Sequence, residues 1–189
     1  MSYLFLARSR ALSRTLSLFT AILLSLGLPA GVYAEKGPHI RILDHELKAL
    51  FDQGLVQSPT LRALVAEIER AQVLVFAECN LRLPSGIAGR LNFVTSVNGV
   101  RYVRVAIDCT MAPRAQVSLL AHEIQHALEV ATHPDVVDVD AMESLYEGIG
   151  FPTTRDGPAR HFETAAAKAV QRAVNAEMGR RPDRDTAAY

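Results

Sequence analysis

Apolar positions along the chain follow two spacings, and the change from one to the other predicts the elements. Leu43, Leu47, Leu50 and Phe51 recur every three or four residues, which predicts a helix over Asp44 to Gln53 that Gly54 would stop. Ser58-Pro59 opens a second helix, since serine can cap free amides and proline fits a first turn; Leu61, Leu64, Val65 and Ile68 form its buried stripe. The spacing then tightens. Val73-Leu74-Val75-Phe76, within Ala71 to Cys79, is a dense run of strand formers and predicts a buried strand, followed by a loop marked by Pro84, Gly86 and Gly89. Arg90 to Val97 and Val100 to Asp108 flank Asn98-Gly99, the strongest short signal for a two-residue hairpin turn. With Val97 opposite Val100, Thr95 falls opposite Tyr102 and Phe93 opposite Arg104.

Helical spacing returns from Pro113 to Ala131, where Val117, Leu120, Ala121, Ile124, Ala127, Leu128 and Ala131 form one stripe, and His133-Pro134 ends it. Asp138 to Gly148 predicts a shorter helix, Gly150 to Gly157 a loop, and His161 to Met178 a last helix whose Ala165-Ala166-Ala167 run allows close approach of another helix. The fold expected is α+β: a small three-stranded antiparallel sheet with helices packed on one side.

The first 34 residues stand apart. Arg8, Arg10 and Arg14 precede an apolar stretch from Leu16 to Leu28, and Val32-Tyr33-Ala34 offers a small-residue cleavage site, so residues 1–34 read as a signal peptide of a secreted or periplasmic protein. The apolar core is shorter than the roughly 20 residues of a spanning helix, which predicts no stable membrane insertion once the leader is removed. Residues 35–179 form one expected domain, and 180–189 a polar mobile tail. Without the leader's three arginines the chain has 17 basic and 20 acidic residues, a balance that makes no case for a nucleic-acid partner. Cys79 and Cys109 each follow a predicted strand, and in an exported protein a disulfide between them is favoured over two free thiols.

The chemistry lies in the helix over 113–131. His122-Glu123-Ile124-Gln125-His126 is a His-Glu-x-x-His pattern, and residues four apart on a helix stack one turn above the other. Both imidazoles lie on the flank of the apolar stripe, free for other work. Two such histidines are half of a zinc site, and Glu123 would lie beside the metal, able to take a proton from a bound water.

At these residues the sequence resembles the His-Glu-x-x-His zinc metallopeptidases, and most of the mature chain is similar to small secreted bacterial proteins with a His-Glu-x-Gln-His-Ala-x-Glu-Val helix and a later Phe-Glu-Thr. The second likeness carries no activity. The first implies a minimal zincin-like fold, bound Zn2+, a peptide or protein substrate, and a strand whose edge pairs with extended substrate beside the metal helix; residues 100–108 are the candidate strand.

A third ligand is required. Glu163 is the choice, because it is expected to begin the last helix just before small residues and because of the Phe162-Glu163-Thr164 likeness, which gives a site of the glutamate-ligand, gluzincin-like kind. Glu143 and Glu147, one turn apart on the shorter helix, are the alternatives; His133 and His161 are further ones, although the chain lacks the extended motif of the three-histidine branch. Glu129 either orients an imidazole or is a surface charge. Tyr146, Tyr102 and His161 are candidate donors to a developing oxyanion. The function expected is zinc-dependent peptide hydrolysis with Glu123 as general base. Three rivals stand against it: a catalytically inactive zinc-binding relative serving as a binding or structural periplasmic protein, a periplasmic protein whose histidines bind nothing, and a di-iron carboxylate protein. The di-iron reading needs a second Glu-x-x-His, which the mature chain lacks.

Overall fold

A computed structural model describes residues 37–153 and 161–180. The leader reading falls outside these, as does the tail beyond Arg180. The chain divides into Met1–Gly37 and Pro38–Tyr189, and every described element belongs to the second unit.

Among the described residues the elements run β1 (Ile40–Ile42), α1 (His45–Gln57), α2 (Pro59–Ile68), β2 (Val73–Cys79), β3 (Gly89–Val97), β4 (Val100–Ile107), α3 (Pro113–Ala131), α4 (Val139–Ile149), β5 (Phe151–Pro152), β6 (Phe162–Glu163) and α5 (Ala165–Met178). The α+β class holds, but the three-stranded antiparallel sheet does not. The main sheet has four strands in the order β1-β2-β4-β3, with β1, β2 and β4 parallel and β3 alone antiparallel, against β4. The Asn98-Gly99 hairpin fixes β3 against β4 but leaves open which of the two meets β2. Burial decides it: Val103, Val105, Ala106 and Ile107 of β4 are all buried, as an interior strand requires, whereas Val94, Thr95 and Val97 of β3 are exposed. The free edge beside α3 is therefore β3, residues 89–97, and not the 100–108 strand.

The hairpin turn has Asn98 at φ 50° and Gly99 at φ 79°, the positive values a type I′ turn demands. Val97 faces Val100 and Thr95 faces Tyr102, but the register then shifts, and Phe93 lies opposite Val103 instead of Arg104. A bulge at Val94 causes the shift. It leaves Val94 in solvent and turns Phe93 and Leu91 inward, against the core.

Val73, Val75 and Ala77 of β2 and Val103, Val105 and Ile107 of β4 form one buried layer, and Val117, Leu120, Ala121, Ile124 and Ala127 of α3 share its core. α1 runs through Gly54 instead of stopping there. A Cβ on Gly54 would lie 2.7 Å from Val117 Cγ1 and 3.0 Å from Leu61 Cδ2, so this glycine is a notch for close packing. α2 begins as its sequence predicts, with Leu61 N donating to Ser58 Oγ at 3.0 Å and Pro59 in the first turn. Because β2 and β4 run parallel with Cys79 level with Ile107, their ends coincide, and Cys79 is bonded to Cys109 across a Cα–Cα distance of 5.5 Å. No described helix is long and apolar enough to cross a membrane.

Candidate metal centre

α3 spans Pro113–Ala131, as its spacing predicts, and is enclosed on nearly every side. Gln116 Nε2 ties its start to the preceding loop by donating to the carbonyls of Cys109 and Met111. Its polar face is buried too: His122, Glu123, His126 and Glu129 are 3%, 4%, 5% and 9% exposed. Four ionisable side chains on one buried helix face are costly unless each has a partner.

The partner for the two histidines comes from β6. His122 Nε2 lies 3.2 Å from His126 Nε2 and 3.2 Å from Glu163 Oε1, and the ligand atoms of these three residues all lie within 4.8 Å of one another. Among the described residues this is the group that could hold a metal ion. Ligands on tetrahedral arms of about 2.0 Å sit about 3.3 Å apart, so both 3.2 Å separations suit a small ion. Among the described residues His122 Nδ1 is buried with no protein hydrogen-bond partner.

Glu163 reaches the group by a different route from the one its sequence suggested. The last helix does not start at His161: Phe162–Glu163 pairs with Phe151–Pro152, and Thr164 is the cap of α5, accepting from Ala167 N at 3.1 Å. Local helical spacing could not reveal this pairing with a strand ten residues earlier. Gly150 makes it possible, since a Cβ there would lie 2.8 Å from the carbonyl oxygen of Tyr146 and 3.0 Å from that of Glu163.

The other candidates are disposed differently. Glu143 lines the cleft over the site and Glu147 does not, and neither belongs to the converging group. His133 Nδ1 is turned back to the carbonyl of Glu129 at 2.7 Å. Tyr146 donates its hydroxyl to the carbonyl of His126 at 3.0 Å and sets its ring edge-on to the His126 ring. Tyr102 is not in the cleft wall, whereas His161 is. Glu129 is no surface charge: its Oε2 lies 2.8 Å from His126 Nδ1, which fixes that proton on Nδ1 and leaves the Nε2 lone pair facing the group.

The charges around the site follow from burial. Burial pushes the Glu123 carboxyl up to about 7, against the opposing pull of His126 and His122 and of the Leu91 backbone amide. For His122, burial works against the charged form, but the hydrogen bond with Glu163 and the charges of Glu123, Glu163 and Glu129 outweigh it and raise its pKa. Burial would likewise raise Glu163, yet the bond to His122 and the charges of His122, His126 and Lys168 hold it below the usual carboxylate value.

A cleft of about 630 Å³ opens over His122, His126 and Glu163. Gly89, Leu91 and Asn92 of β3 line one wall, and Val139, Met142 and Phe162 line the other. Gly89, which its sequence context marks as loop, begins β3, and a Cβ there would lie 2.5 Å from Glu123 Oε1. No protein-family model, no curated protein and no solved structure matches the chain.

Proposed function

We propose that this chain is a zinc-dependent hydrolase of peptide bonds, a zincin-like metallopeptidase of the glutamate-ligand kind that works outside the cytoplasm on peptide or protein substrates. The observation that supports it most is the convergence of two imidazole nitrogens and one carboxylate oxygen beneath an open cleft, with a buried carboxylate one residue from the first ligand. Three protein ligands of this mixture leave a fourth position for water or substrate, the arrangement of a catalytic zinc.

His122, His126 and Glu163 would hold the ion, which when bound polarises a carbonyl and makes water acidic enough to attack near neutral pH. Glu123 then serves as general base. Its carboxylate, buried and lining the cleft one residue from the first ligand, is placed to take a proton from water and return it to the departing amine. β3, at the sheet edge along the cleft, has the backbone groups to pair with an extended substrate. Among the side chains considered for the developing oxyanion, Tyr146 is committed to the His126 carbonyl, which leaves His161 in the cleft wall.

Metal analysis of protein purified without added zinc is the first test, with one zinc per chain expected. Glu123→Gln should keep that zinc and lose about 10²- to 10⁴-fold of turnover on an unstructured protein or peptide pool. Undiminished cleavage by this variant would overturn the mechanism. A parent that binds zinc and cleaves nothing would be a binding protein instead.

A further inference from the structure

The hydrogen bond that orients His126 continues, behind the three candidate ligands and the base, as a buried chain that reaches α5. Glu129 Oε2 accepts from His126 Nδ1 at 2.8 Å, and its other oxygen, Oε1, accepts from Thr164 Oγ1 at 2.6 Å. Thr164 Oγ1 in turn accepts from Ala167 N at 3.1 Å, in the first turn of α5. Thr164 is only 3% exposed, so solvent does not compete for these bonds.

The direction of the chain is fixed by what each group can do. A hydroxyl has one proton, an ionised carboxylate can only accept, and the Ala167 amide can only donate. The Thr164 proton must therefore point at Glu129, and the second Glu129 oxygen is left for the Nδ1 proton of His126. Thr164 is also the residue after Glu163, so the same hydroxyl pins the backbone next to the third ligand against α3.

We propose that Thr164 is a positioning residue of the metal centre, coupling the His126 ring, the strand carrying Glu163 and the start of α5 into one hydrogen-bonded unit through Glu129. This rests on the metal-binding reading above. A role as helix cap alone needs only the acceptance from Ala167, and the bond to Glu129 would then be incidental. The coupling requires both.

The test is zinc affinity, measured by competition with a chromophoric chelator well below the unfolding transition, together with the unfolding midpoint of each metal-free protein. Thr164→Val removes both bonds, Thr164→Ser keeps both, and Glu129→Gln leaves the cap of α5 intact while removing the charged acceptor. Loss of such outer support typically costs 10–100-fold in metal affinity, so Thr164→Val and Glu129→Gln should each bind zinc at least about tenfold more weakly, and Thr164→Ser should match the parent. The double variant should be little worse than the weaker single one, because both act through one chain of bonds. Parent affinity in Thr164→Val, with only its unfolding midpoint lowered, would reduce Thr164 to a cap and overturn the proposal; so would losses that multiply in the double variant. Should Thr164→Val fail to fold, Glu129→Gln with parent affinity overturns it equally. A parent that binds no zinc sinks the metal reading itself, and this coupling with it.

Discussion

Replacing Gly89 by alanine should disable Glu123 while leaving the fold and the ligands in place. Gly89 lies opposite Ile107 in the sheet, and its added Cβ would fall 2.5 Å from Glu123 Oε1 and 3.0 and 3.1 Å from Leu119 Cδ1 and Cγ. An ordinary contact needs about 3.5 Å, so the carboxylate and β3 must separate by about 1 Å. Glu123 and Leu119 are 4% and 7% exposed, so neither has room to step aside freely. Overpacking of this kind costs about 1–3 kcal/mol, while replacing a glycine whose φ is not positive gains about 0.4–1 kcal/mol from the unfolded chain. The net loss of about 0–2.6 kcal/mol lies below the stability of an ordinary domain, about 5–15 kcal/mol, and the variant should stay folded. A misplacement of 1 Å at a reacting group can cost about 100-fold in rate. Turnover on a peptide pool should therefore fall about 100-fold with zinc stoichiometry unchanged, since the nearest neighbours of the new methyl are Glu123 and Leu119 and none of the three ligands. Turnover within a few-fold of the parent would show that the close approach of β3 does not set the position of the base. Loss of zinc would show that Gly89 serves the whole centre.

Two further outcomes follow from the charges and the cross-link. In the metal-free protein Glu123 has a folded pKa of about 7 against an ordinary 4.5, so the folded state holds a proton that the unfolded chain has released, and stability falls as pH rises through that window, by on the order of 3 kcal/mol. The raised pKa of His122 acts in the same direction, its contribution being lost as pH rises through the folded value, whereas the lowered pKa of Glu163 matters only as pH falls below 4.5. Zinc requires deprotonated ligands, so the unfolding midpoint should rise on adding zinc by more at pH 8 than at pH 5.5; a metal-free protein more stable at pH 8 than at 5.5 would refute this assignment of the buried carboxyl. The Cys79–Cys109 bond closes a loop with a sequence separation of 30, for which the chain-entropy model gives about 3.7 kcal/mol, and a Cys79→Ser/Cys109→Ser variant should lose about that much in urea unfolding. An unchanged midpoint would mean the bond constrains nothing that the folded elements do not.

What was legible in the sequence is what neighbouring residues decide among themselves. Pro113 and His133-Pro134 bound α3, Ser58-Pro59 starts α2, and Asn98-Gly99 turns the hairpin, all through backbone preferences that act within a few residues. What was not legible depends on distant partners. Ile40–Ile42 is too short to show a period and is a strand only because Val75–Ala77 offers an edge. The placing of β4 beside β2 is a choice between two strands of one hairpin, made by which has more of its length buried. Gly54 is an ordinary stop signal by itself, and becomes a packing notch only when Val117 of α3 lies 2.7 Å from where its side chain would be.

The same division runs through the candidate site. A pair of imidazoles four residues apart is a property of any helix, so His122 and His126 could be read directly, and Glu123 with them. Glu163 is 37 positions beyond His126, and the small residues that follow it give only part of what brings it there. The small residues after Glu163 predict a helix lying close to α3, and α5 does pack against α3, with Ala167 buried while Ala165 and Ala166 face solvent. Glu163 itself is held by strand pairing to Phe151, by the missing side chain of Gly150, and by the Thr164 hydroxyl on Glu129. None of these has a local signature beyond a cap residue in front of an alanine run. A sequence can therefore announce the half of a candidate metal site that one helix builds, while the half that completes it is specified by strand pairing, a glycine and a hydroxyl whose purpose exists only once the chain has folded back.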